Sequence, residues 1–462
     1  MDSKMTTDLS EDNLHRLVNF LIENENCKTP EEAKRKLERF KLSLVCGEEI
    51  ANTKALQAAL LTAINTGKRA FLGGVEVVMR KRIKSLLYWP DTKTLNDCIK
   101  KLGGTLVNEA SKDSSFSLSF GKTNGSKNSL QVVCNGWVGG ISELKMTTSL
   151  PLLPDFALGG IVGGSLGVAG AFFRVTGLDK FFGSDPIGIS LWKPDVNWLL
   201  SEATGSPLKN LPKNLWILGL GHLGQAYLWN FGLLLDPSIA GQIKILLQDF
   251  DVIKKANFST GLLSEDLSVE KKKTRVCAEW LEQRQIKTII TERRFNENTY
   301  RDNKEPFVAI SGFDNAEPRR LIENVGFDFI VDASLGNSID DFDRFMMYTF
   351  PDNTVKAVNI WKESSIEKKK NNKKLIETYL KETNNPECGI LASTLAGKAI
   401  ATSFVGAIAG AFVIAEILKG LHGKKRCGFL HVHLRDLLGT RCVWLDSCQE
   451  KFSQNGFVSI NT

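Results

Sequence analysis

Short apolar runs alternate with amphipathic segments through the second half of the chain. Runs such as NLWILGLG (214–221), IKILLQDFDVI (243–253) and FVAISGF (307–313) are rich in apolar residues and end in glycine or acids. Between them, segments such as KKKTRVCAEWLEQRQ (271–285) place apolar residues at helical spacing. Strand and helix therefore alternate, which predicts an α/β fold built on a parallel, doubly wound sheet.

The first half has a different pattern. Residues 1–90 are predicted to be helical, because EEAKRKLERFKLSL spaces apolar residues among charges as a helix does. Residues 104–142 favour short strands, SFSLSF and LQVVCNGW, and the turn-rich SEATGSPLKNLPKN near residue 200 indicates a domain boundary. We therefore expect a helical region (1–90), an accessory domain (91–205) and a second α/β domain (206–462).

Two long apolar stretches, 157–173 and 390–418, are crowded with glycine and alanine, and the second also contains Lys398 and Glu416. A membrane-spanning helix needs about 20 residues of largely uninterrupted apolar sequence. Both stretches are better interpreted as buried helices that pack closely through small residues, so no membrane association is expected. Their resemblance to each other fits a degenerate duplication as well as chance. If their small-residue faces are free, they also offer a homodimer contact.

Composition restricts the class of protein. The chain has 462 residues, 42% of them hydrophobic and 24% charged, with a net charge of +7. Much of that charge comes from the lysine-rich segment 362–387, which is read as a solvated crossover loop or, alternatively, a docking surface for an acidic partner. No nucleic-acid partner is expected. Nine cysteines without a C-x-x-C pair and a polar, acidic start argue for a reduced, cytoplasmic protein.

Three glycines follow the first apolar run of the second half. Gly219, Gly221 and Gly224 have the spacing G-x-G-x-x-G, which makes a tight turn, lets phosphate approach the backbone and opens a helix N-terminus. This motif is typical of Rossmann-like nucleotide-binding domains, but alone it is a weak signal. A plain strand-to-helix turn, or an NAD(P)-binding loop of an oxidoreductase, has the same appearance.

Polar residues downstream decide between these interpretations. Asp249 lies 30 residues after Gly219, at the end of the second strand, and further candidates follow it along the chain. The candidates at or just beyond the carboxyl ends of predicted strands are Asp249, Asp251, Asn257, Lys273, Asp314 and Arg319. Ligands bind at this edge of such sheets. A hydride-transfer site has no use for the lysine and the later acid, whereas a triphosphate with Mg²⁺ needs both.

This constellation resembles the E1-like (ThiF/MoeB-type) adenylyltransferases, over roughly 211–345 and 386–440. The matching elements are GLGHLG, DFDVIKKANFSTG, EKKK ending at Lys273, DNAEPR, and the closing helix FVGAIAGAFVIAEILK. The resemblance implies an active adenylation domain at 206–462, with ATP and Mg²⁺ as cofactors. It implies that Asp249 binds the ribose, Asn257 and Lys273 the phosphates, and Asp314 the metal.

The sequence departs from the family in two places, and one is that the paired C-x-x-C zinc motifs of many relatives are missing. Where relatives have N-L-x-R-Q, this chain has NFSTG, so Thr260 replaces a phosphate-binding arginine and Gly261 a glutamine. Lys254, Lys255 or an arginine from a partner domain could substitute. In relatives an inactive domain often supplies such an arginine, and Arg80 or Arg82 is the candidate here, although both also suit an ordinary helix surface.

The resemblance also implies the chemistry. The C-terminal carboxylate of a ubiquitin-like modifier would be adenylated, passed to an enzyme cysteine as a thioester and handed to an E2-like carrier, as in bacterial conjugation operons that include antiphage ones. Cys388, in NNPECGILAS, is the candidate cysteine, with Cys427 as a second choice; Cys277 and Cys442 are expected in the core. Two alternatives remain: a sulfur-carrier or peptide-modifying enzyme without a thioester, and a non-catalytic nucleotide-binding scaffold.

Histidines add no independent signal. His222 lies inside the glycine loop, where it either touches phosphate or occupies a surface position. His431 and His433 alternate on a predicted strand and therefore share one face of it. Without a third ligand, such a pair is expected to be structural.

Overall fold

A computed structural model describes residues 12–24, 26–123, 129–143, 155–362, 377–378, 395, 398–445 and 456–460. Its first half has helices α1 (Arg16–Glu23), α2 (Pro30–Leu37), α3 (Lys54–Gly67), α4 (Leu95–Lys101) and α5 (Ala157–Thr176). Its strands are β1 (Leu42–Cys46), β2 (Val75–Val78), β3 (Thr105–Val107), β4 (Phe116–Phe120), β5 (Ser129–Asn135), β6 (Val138–Glu143) and β7 (Ile187–Ser190).

The second half has helices α6 (His222–Gly232), α7 (Pro237–Ala240), α8 (Lys273–Glu282), α9 (Ala316–Arg319), α10 (Ala357–Ile360) and α11 (Ser403–Leu421). Its strands are β8 (Asn210–Pro212), β9 (Asn214–Leu218), β10 (Lys244–Gln248), β11 (Lys287–Thr291), β12 (Val308–Ser311), β13 (Phe329–Leu335), β14 (Arg344–Phe350), β15 (Cys427–His433), β16 (Arg441–Trp444) and β17 (Phe457–Ser459). Short β8 and β17 pair with each other, apart from the main sheet.

The two halves contain sheets with the same strand order. The first sheet runs β3-β2-β1-β4-β5-β6-β7, and the second runs β11-β10-β9-β12-β13-β14-β15-β16. In both, the first five strands are parallel and the remaining strands are antiparallel. The predicted α/β class with a doubly wound sheet is therefore confirmed, and the first half carries a sheet of the same plan.

The expectation of an all-helical region at 1–90 is wrong. Strand β1 pairs with β2 and β4 in the middle of the first sheet, so the expected boundary at residue 90 runs through that sheet. Helix α2 ends at Leu37, and the sequence LSLVC that follows is β1. A strand flanked by others in a parallel sheet is usually a continuous apolar run, but the buried Ser43 interrupts LSLVC, so its sequence continued the helical pattern without a visible break.

Four helices fill the space between the two sheets. Helix α5 packs on α3 and α11, and α11 also packs on α6. Small residues permit the close approach: a Cβ at Gly160 of α5 would lie 2.0 Å from the carbonyl oxygen of Ala55 in α3. Helices α5 and α11, whose sequences echo each other, follow β6 and β14 respectively and so hold equivalent places in the two halves.

This packing corrects the expected homodimer contact. Helices α5 and α11 are long and apolar enough to cross a membrane, but 89% of each apolar window is buried inside the protein. They cover each other within one chain, so their small-residue faces are not available to a second copy. The same burial is what core helices of a globular protein show.

Candidate functional site

A cavity of about 510 Å³ opens at the carboxyl ends of β9, β10 and β12. The predicted site residues that line it are Gly219, Gly221, Asp249, Asp251, Asn257, Lys273, Asp314 and Arg319. Gly224 lies under the loop, and Cys388 lies outside the described residues, as does nearly all of the predicted crossover loop at 362–387. The fold therefore brings together side chains that are spread over 100 residues of sequence.

The glycine loop is shaped by its backbone. Gly219 has φ +80°, a conformation that disfavours side chains. A Cβ at Gly224 would lie 2.0 Å from the Gly219 carbonyl oxygen, so only glycine lets α6 start so close to β9. At Gly221 a Cβ would meet no atom within 4 Å, because that position faces the open cavity. The N-terminus of α6 thus points at a space that suits an anion.

Asp249 connects the loop to the second strand. One of its carboxylate oxygens accepts a hydrogen bond from the Leu220 amide at 2.6 Å, and the other accepts from the Asp251 amide at 2.8 Å. Each carboxylate oxygen has a second lone pair, so Asp249 can hold the loop and still accept a ribose hydroxyl. Its role at the ribose remains a prediction.

Lys273 begins α8 and reaches into the cavity. Its ammonium group lies 2.9 Å from a carboxylate oxygen of Asp251, and the residue is largely buried. A buried lysine paired with a half-exposed acid can exchange that acid for a phosphate without losing charge compensation. Lys273 and Asp251 therefore form a cation–acid pair that is ready to receive a charged ligand.

Asn257 and Thr260 belong to the short 3₁₀ turn Lys255–Ser259 and its end. The Asn257 side-chain oxygen accepts a hydrogen bond from the Lys254 amide at 2.9 Å, which fixes the turn while the residue lines the cavity. Thr260 also lines the cavity. Lys254 does not line it, since its ammonium pairs with Asp12 and Glu270 at the surface.

The turn after β12 supplies an acid and a fixed arginine. Asp314 is exposed at the mouth of the cavity. Arg319 donates hydrogen bonds to the carbonyl oxygens of Phe313 and Ala333, and its Nε lies 3.7 Å from Oδ1 of Asp332. Arg319 therefore holds the ends of β12 and β13 together and presents Asp314 to the cavity.

One cation in the cavity comes from the beginning of the chain. Arg16, the first residue of α1, lines the cavity although it lies some 200 residues before the glycine loop. The Asp12 carbonyl accepts from the Ala256 amide at 2.6 Å, and the Asn19 side chain donates to the carbonyls of Leu395 and Lys398. These contacts hold α1 against the second half.

The accessory arginine was expected to be Arg80 or Arg82, but the arginine from the first half that lines the cavity is Arg16. Arg80 and Arg82 do not line the cavity, and Arg82 pairs with Asp97 at the surface. The expectation that one of them serves the site is therefore wrong. Sequence reasoning missed Arg16, because a single arginine in HRLVNFLIE has no local signature and its position depends on the packing of α1.

His222 lies deep in the site. It lines the cavity, and a Cβ at Gly406 of α11 would meet its ring at 2.1 Å. Burial, together with the positive charges of Arg69 and Arg16, lowers the pKa of His222 to about 3. The ring is therefore neutral at physiological pH. It adds no charge to the site and lines the cavity as a neutral side chain at the N-terminus of α6.

A second group of lining residues comes from the segments after β10 and β11 and was not foreseen. The residues are Phe250, Arg293, Arg294, Phe295, Asn296 and Glu297. The guanidinium of Arg294 lies 4.1 Å from the centroid of the Phe250 ring. Aromatic and planar groups at one end of a cavity with charges at the other suit a ligand that has both a flat ring and an anionic end. RRFNEN has no motif that marks it in sequence.

The acids of the cavity fit a magnesium ion. Within the described ranges, no three His, Cys, Asp or Glu side chains are arranged as a self-contained metal site. Mg²⁺ at nucleotide sites commonly takes one or two carboxylates, and phosphates and water complete its shell. Asp314, Asp251 and Glu317 line the cavity and can supply those carboxylates. The donors suit a metal that arrives with a nucleotide.

The cysteines within the described ranges are unsuited to nucleophilic chemistry at this site. Burial raises the pKa of the thiols of Cys27, Cys46, Cys98, Cys134, Cys277 and Cys427. None of these residues lines the cavity, and the sulfur of Cys442 lies 2.6 Å from that of Cys427. A raised pKa keeps a thiol protonated and unreactive. Cys277 is in the core as expected, and Cys427 is a poor second choice.

The paired histidines also have a partner. His431 and His433 alternate on β15 and share one face, as expected. His433 Nε2 lies 3.0 Å from the buried carboxylate of Asp343, which also pairs with Arg435. His433, Asp343 and Arg435 therefore form a structural polar cluster at the sheet.

Comparison with known proteins gives the family. Models described as the BilD N-terminal domain and the BilD C-terminal domain match residues 41–191 and 211–424. A bacterial E1-like protein BilD from Collimonas sp. (strain OK412) is 33% identical over 429 residues, which cover 92% of this chain and 92% of that protein.

Solved structures are more distant. Escherichia coli MccB, in a crystal structure with ATP, is 15% identical and matches 68% of this chain and 94% of its own, with a TM-score of 0.34. The E. coli tRNA N6-threonylcarbamoyladenosine dehydratase TcdA matches 46% and 86% respectively, at 15% identity and a TM-score of 0.28. Scores of this size carry no weight for function, so the assignment rests on the sequence relative. The chain belongs to the BilD family of bacterial E1-like proteins, which confirms the E1-like resemblance of its motifs.

Proposed function

We propose that the chain activates the C-terminus of a small ubiquitin-like protein with ATP. The observation that carries this proposal is that one cavity contains the glycine loop, Lys273, Arg16 and Asp314. A loop that accepts phosphate, two cations from distant segments and an exposed acid are what a triphosphate with Mg²⁺ requires. A nicotinamide cofactor would leave Lys273 and Asp314 without a role.

The first step forms an acyl-adenylate. A carboxylate oxygen of the ubiquitin-like protein attacks the α-phosphorus of ATP, and the bond from that phosphorus to the bridging oxygen of pyrophosphate breaks. Lys273 and Arg16 stabilise the negative charge that gathers on the leaving pyrophosphate, and the amides at the start of α6 stabilise the α-phosphate. Asp314 and Asp251 would hold Mg²⁺, which supplies further charge neutralisation when bound.

The second step transfers the acyl group to a cysteine. A thiolate attacks the carbonyl carbon of the acyl-adenylate, AMP leaves, and a thioester forms, from which an E2-like carrier takes the modifier. We assign the thiolate to Cys388. In support, the described cysteines with raised pKa are poor nucleophiles, and Cys388 precedes α11, whose neighbours Ala399 and Ala401 line the cavity.

The adenylation step is tested by exchange of labelled pyrophosphate into ATP, with a ubiquitin-like protein whose C-terminal tail is exposed. The wild type should exchange label, and Lys273→Ala should lower the rate by at least about 10²-fold, since it removes a charge from the leaving group. Lys287→Ala, which removes an exposed lysine on β11, is the matched control and should match the wild type. Absence of exchange with any such protein would favour the scaffold alternative.

The thioester step is tested by the reducible adduct between chain and modifier. Cys388→Ala should abolish a dithiothreitol-sensitive adduct and leave pyrophosphate exchange intact. Cys448→Ala is the matched control, because it too lies outside the described residues and should retain the adduct. Exchange without any adduct in the wild type would instead support a sulfur-carrier or peptide-modifying enzyme.

A further inference from the structure

A second cavity, of about 480 Å³, lies between the two halves of the chain. Its lining comes from the ends of α3 and α4 in the first half and from residues 258–267 in the second. None of its lining residues lines the nucleotide cavity, although His15 and Phe258 are chain neighbours of Arg16 and Asn257. The cleft is therefore a separate space behind the wall of the nucleotide site.

Arg69 is the most buried charged residue in the lining. It is 4% exposed, and its Nη atoms donate to the carbonyl oxygens of Phe258 and Ser264 and to the side-chain oxygen of Asn65. All of these acceptors are neutral, and Nε has no hydrogen-bond partner among the described residues. Burying a cation costs free energy unless an anion compensates it. Arg69 thus has an unused donor and no hydrogen-bonded carboxylate among the described residues, and Glu265 acts on its charge without a direct contact.

Other cations line the same cleft. Lys68 precedes Arg69, and Lys100 and Lys101 end α4, where both are exposed. Two acids, Glu265 and Asp266, also line it, and Glu265 lies 3.6 Å from Lys68 and is mostly exposed.

The cations outnumber the carboxylates in this lining. Burial, with the charge of Arg69 beside it, lowers the pKa of Lys68 to about 8. Burial is the larger cause of this lowering, Arg69 adds to it, and the carboxylates of Glu265 and Asp266 oppose it. The neutral form of His15 is favoured for the same reason, since burial and Arg69 lower its pKa to about 4.

We propose that this cleft binds a small phosphate-type anion, with Arg69 at its floor and Lys100 and Lys101 at its rim. A guanidinium presents several donors in a fixed plane, which matches the oxygens of phosphate, and lysine side chains add charge without fixed geometry. The source of the anion is either free phosphate or pyrophosphate. The site does not depend on the adenylation chemistry, because no residue of the nucleotide cavity takes part.

The test is calorimetric titration of the full chain with phosphate and, separately, with pyrophosphate, in the presence of excess α,β-methylene-ATP. Saturable binding of one anion per chain is expected, and the tighter of the two identifies the source. The double variant Lys100→Ala/Lys101→Ala should weaken that binding by at least about tenfold. Lys180→Ala/Lys287→Ala removes two exposed lysines outside the cleft and is the charge-matched control, which should bind as the wild type does.

Two further variants separate this site from the nucleotide cavity. Lys273→Ala should leave anion affinity unchanged, whereas Arg69→Lys, which keeps the charge but removes the Nε donor, should weaken it. Because Arg69 also joins the two halves, its variant is first checked for a wild-type circular dichroism spectrum. The proposal is overturned if neither anion binds the wild type, if Lys100→Ala/Lys101→Ala binds as tightly as its control, or if Lys273→Ala removes the binding.

Discussion

At the scale of single residues, the positive charge of the nucleotide cavity comes from distant parts of the chain. Lys273 begins a helix after β10, Arg319 follows β12, and Arg16 lies near the start of the sequence. Thr260 lines the same cavity, at the position where the family motif of the sequence analysis has an arginine. We propose that Arg16 supplies the cation that Thr260 lacks.

Arg16→Ala should lower ATP–pyrophosphate exchange by at least about 10²-fold if Arg16 stabilises charge on the leaving group. Removing a cation that acts in the transition state lowers kcat rather than raising KM for ATP alone. The steady-state rate of exchange as a function of ATP concentration measures both constants. Arg82→Ala removes a surface arginine that pairs with Asp97 and should leave both unchanged. Equal rates in the two variants would remove Arg16 from the mechanism.

Asp332 is a buried acid behind Arg319. It accepts a hydrogen bond from the Ser311 hydroxyl, and burial raises its pKa from 3.8 to about 6. The folded state therefore binds the proton more tightly than the unfolded state. This stabilisation is complete at low pH and is lost as the pH rises through 6.

Asp332→Asn should remove that pH dependence. Between pH 4.5 and 7.5 the free energy of unfolding of the wild type should fall by about 2 kcal/mol relative to the variant, from a shift of roughly two pKa units. Urea denaturation at a series of pH values measures the difference. A constant difference across this range would show that Asp332 has an ordinary pKa in the folded protein.

How much of the site the sequence could reveal depends on whether a residue carries a local pattern. The glycine loop, Asp249 and Asp314 follow strand ends and Lys273 begins α8, each at a recognisable spacing, and all of them line the cavity or, like Gly224, support it. Arg16 and the aromatic end near Phe250 have no such pattern. Their positions are decided by how α1 and the segment after β11 pack, which only the folded chain shows.

At the scale of elements, the lack of a local sequence pattern also explains why residues 1–90 were wrongly predicted to be helical. The parallel strands of the second half and the helices between them were predicted in order, whereas β14 was not predicted. Strand β1 follows α2 after only four residues, and the buried Ser43 interrupts its apolar residues, so neither a turn residue nor a continuous apolar run separates the two elements. The small residues of α5 and α11 correctly predicted close packing. The sequence did not show which helices they pack against.

Gly160 tests that packing. Gly160→Ala would place a methyl group 2.0 Å from the Ala55 carbonyl oxygen, so α3 and α5 must move apart, at an expected cost of about 2 kcal/mol. Gly241→Ala is the matched control, since a Cβ there meets no atom within 4 Å and the residue has helical dihedral angles. The control should change stability by less than about 1 kcal/mol, in the stabilising direction. Thermal and urea unfolding of both variants decide the point, and equal stability of the two would mean that α3 and α5 are loosely packed.

At the scale of the whole molecule, the two sheets share a plan but differ at the functional edge. The turn after β1 reads CGEEIANT where the turn after β9 reads LGLGHLGQ. The carboxylate of Glu49 accepts a hydrogen bond from the Lys122 amide at 3.0 Å, and a Cβ at Gly121 would lie 2.7 Å from it. The Glu49 side chain therefore lies between the ends of β1 and β4. At the corresponding place in the second half, between the ends of β9 and β12, the cavity has room for a phosphate.

We accordingly expect one nucleotide for each chain. A carboxylate in the position of a phosphate repels it, so the first sheet should not bind ATP. Calorimetric titration with α,β-methylene-ATP should give a stoichiometry of one, and Lys273→Ala should abolish or strongly weaken this single event. A second binding event that survives in Lys273→Ala would place a nucleotide in the first half.

Because Arg16 and the glycine loop belong to the same polypeptide, every folded molecule contains both of these parts of the proposed nucleotide site. An enzyme that borrows an arginine from a separate subunit loses that residue when dilution drives its subunits apart. Dilution cannot remove Arg16 from this chain in that way. The covalent connection between the two halves keeps their effective concentration relative to each other high. Its specific activity should therefore be independent of enzyme concentration, even at the low copy numbers at which dissociable enzymes fall apart.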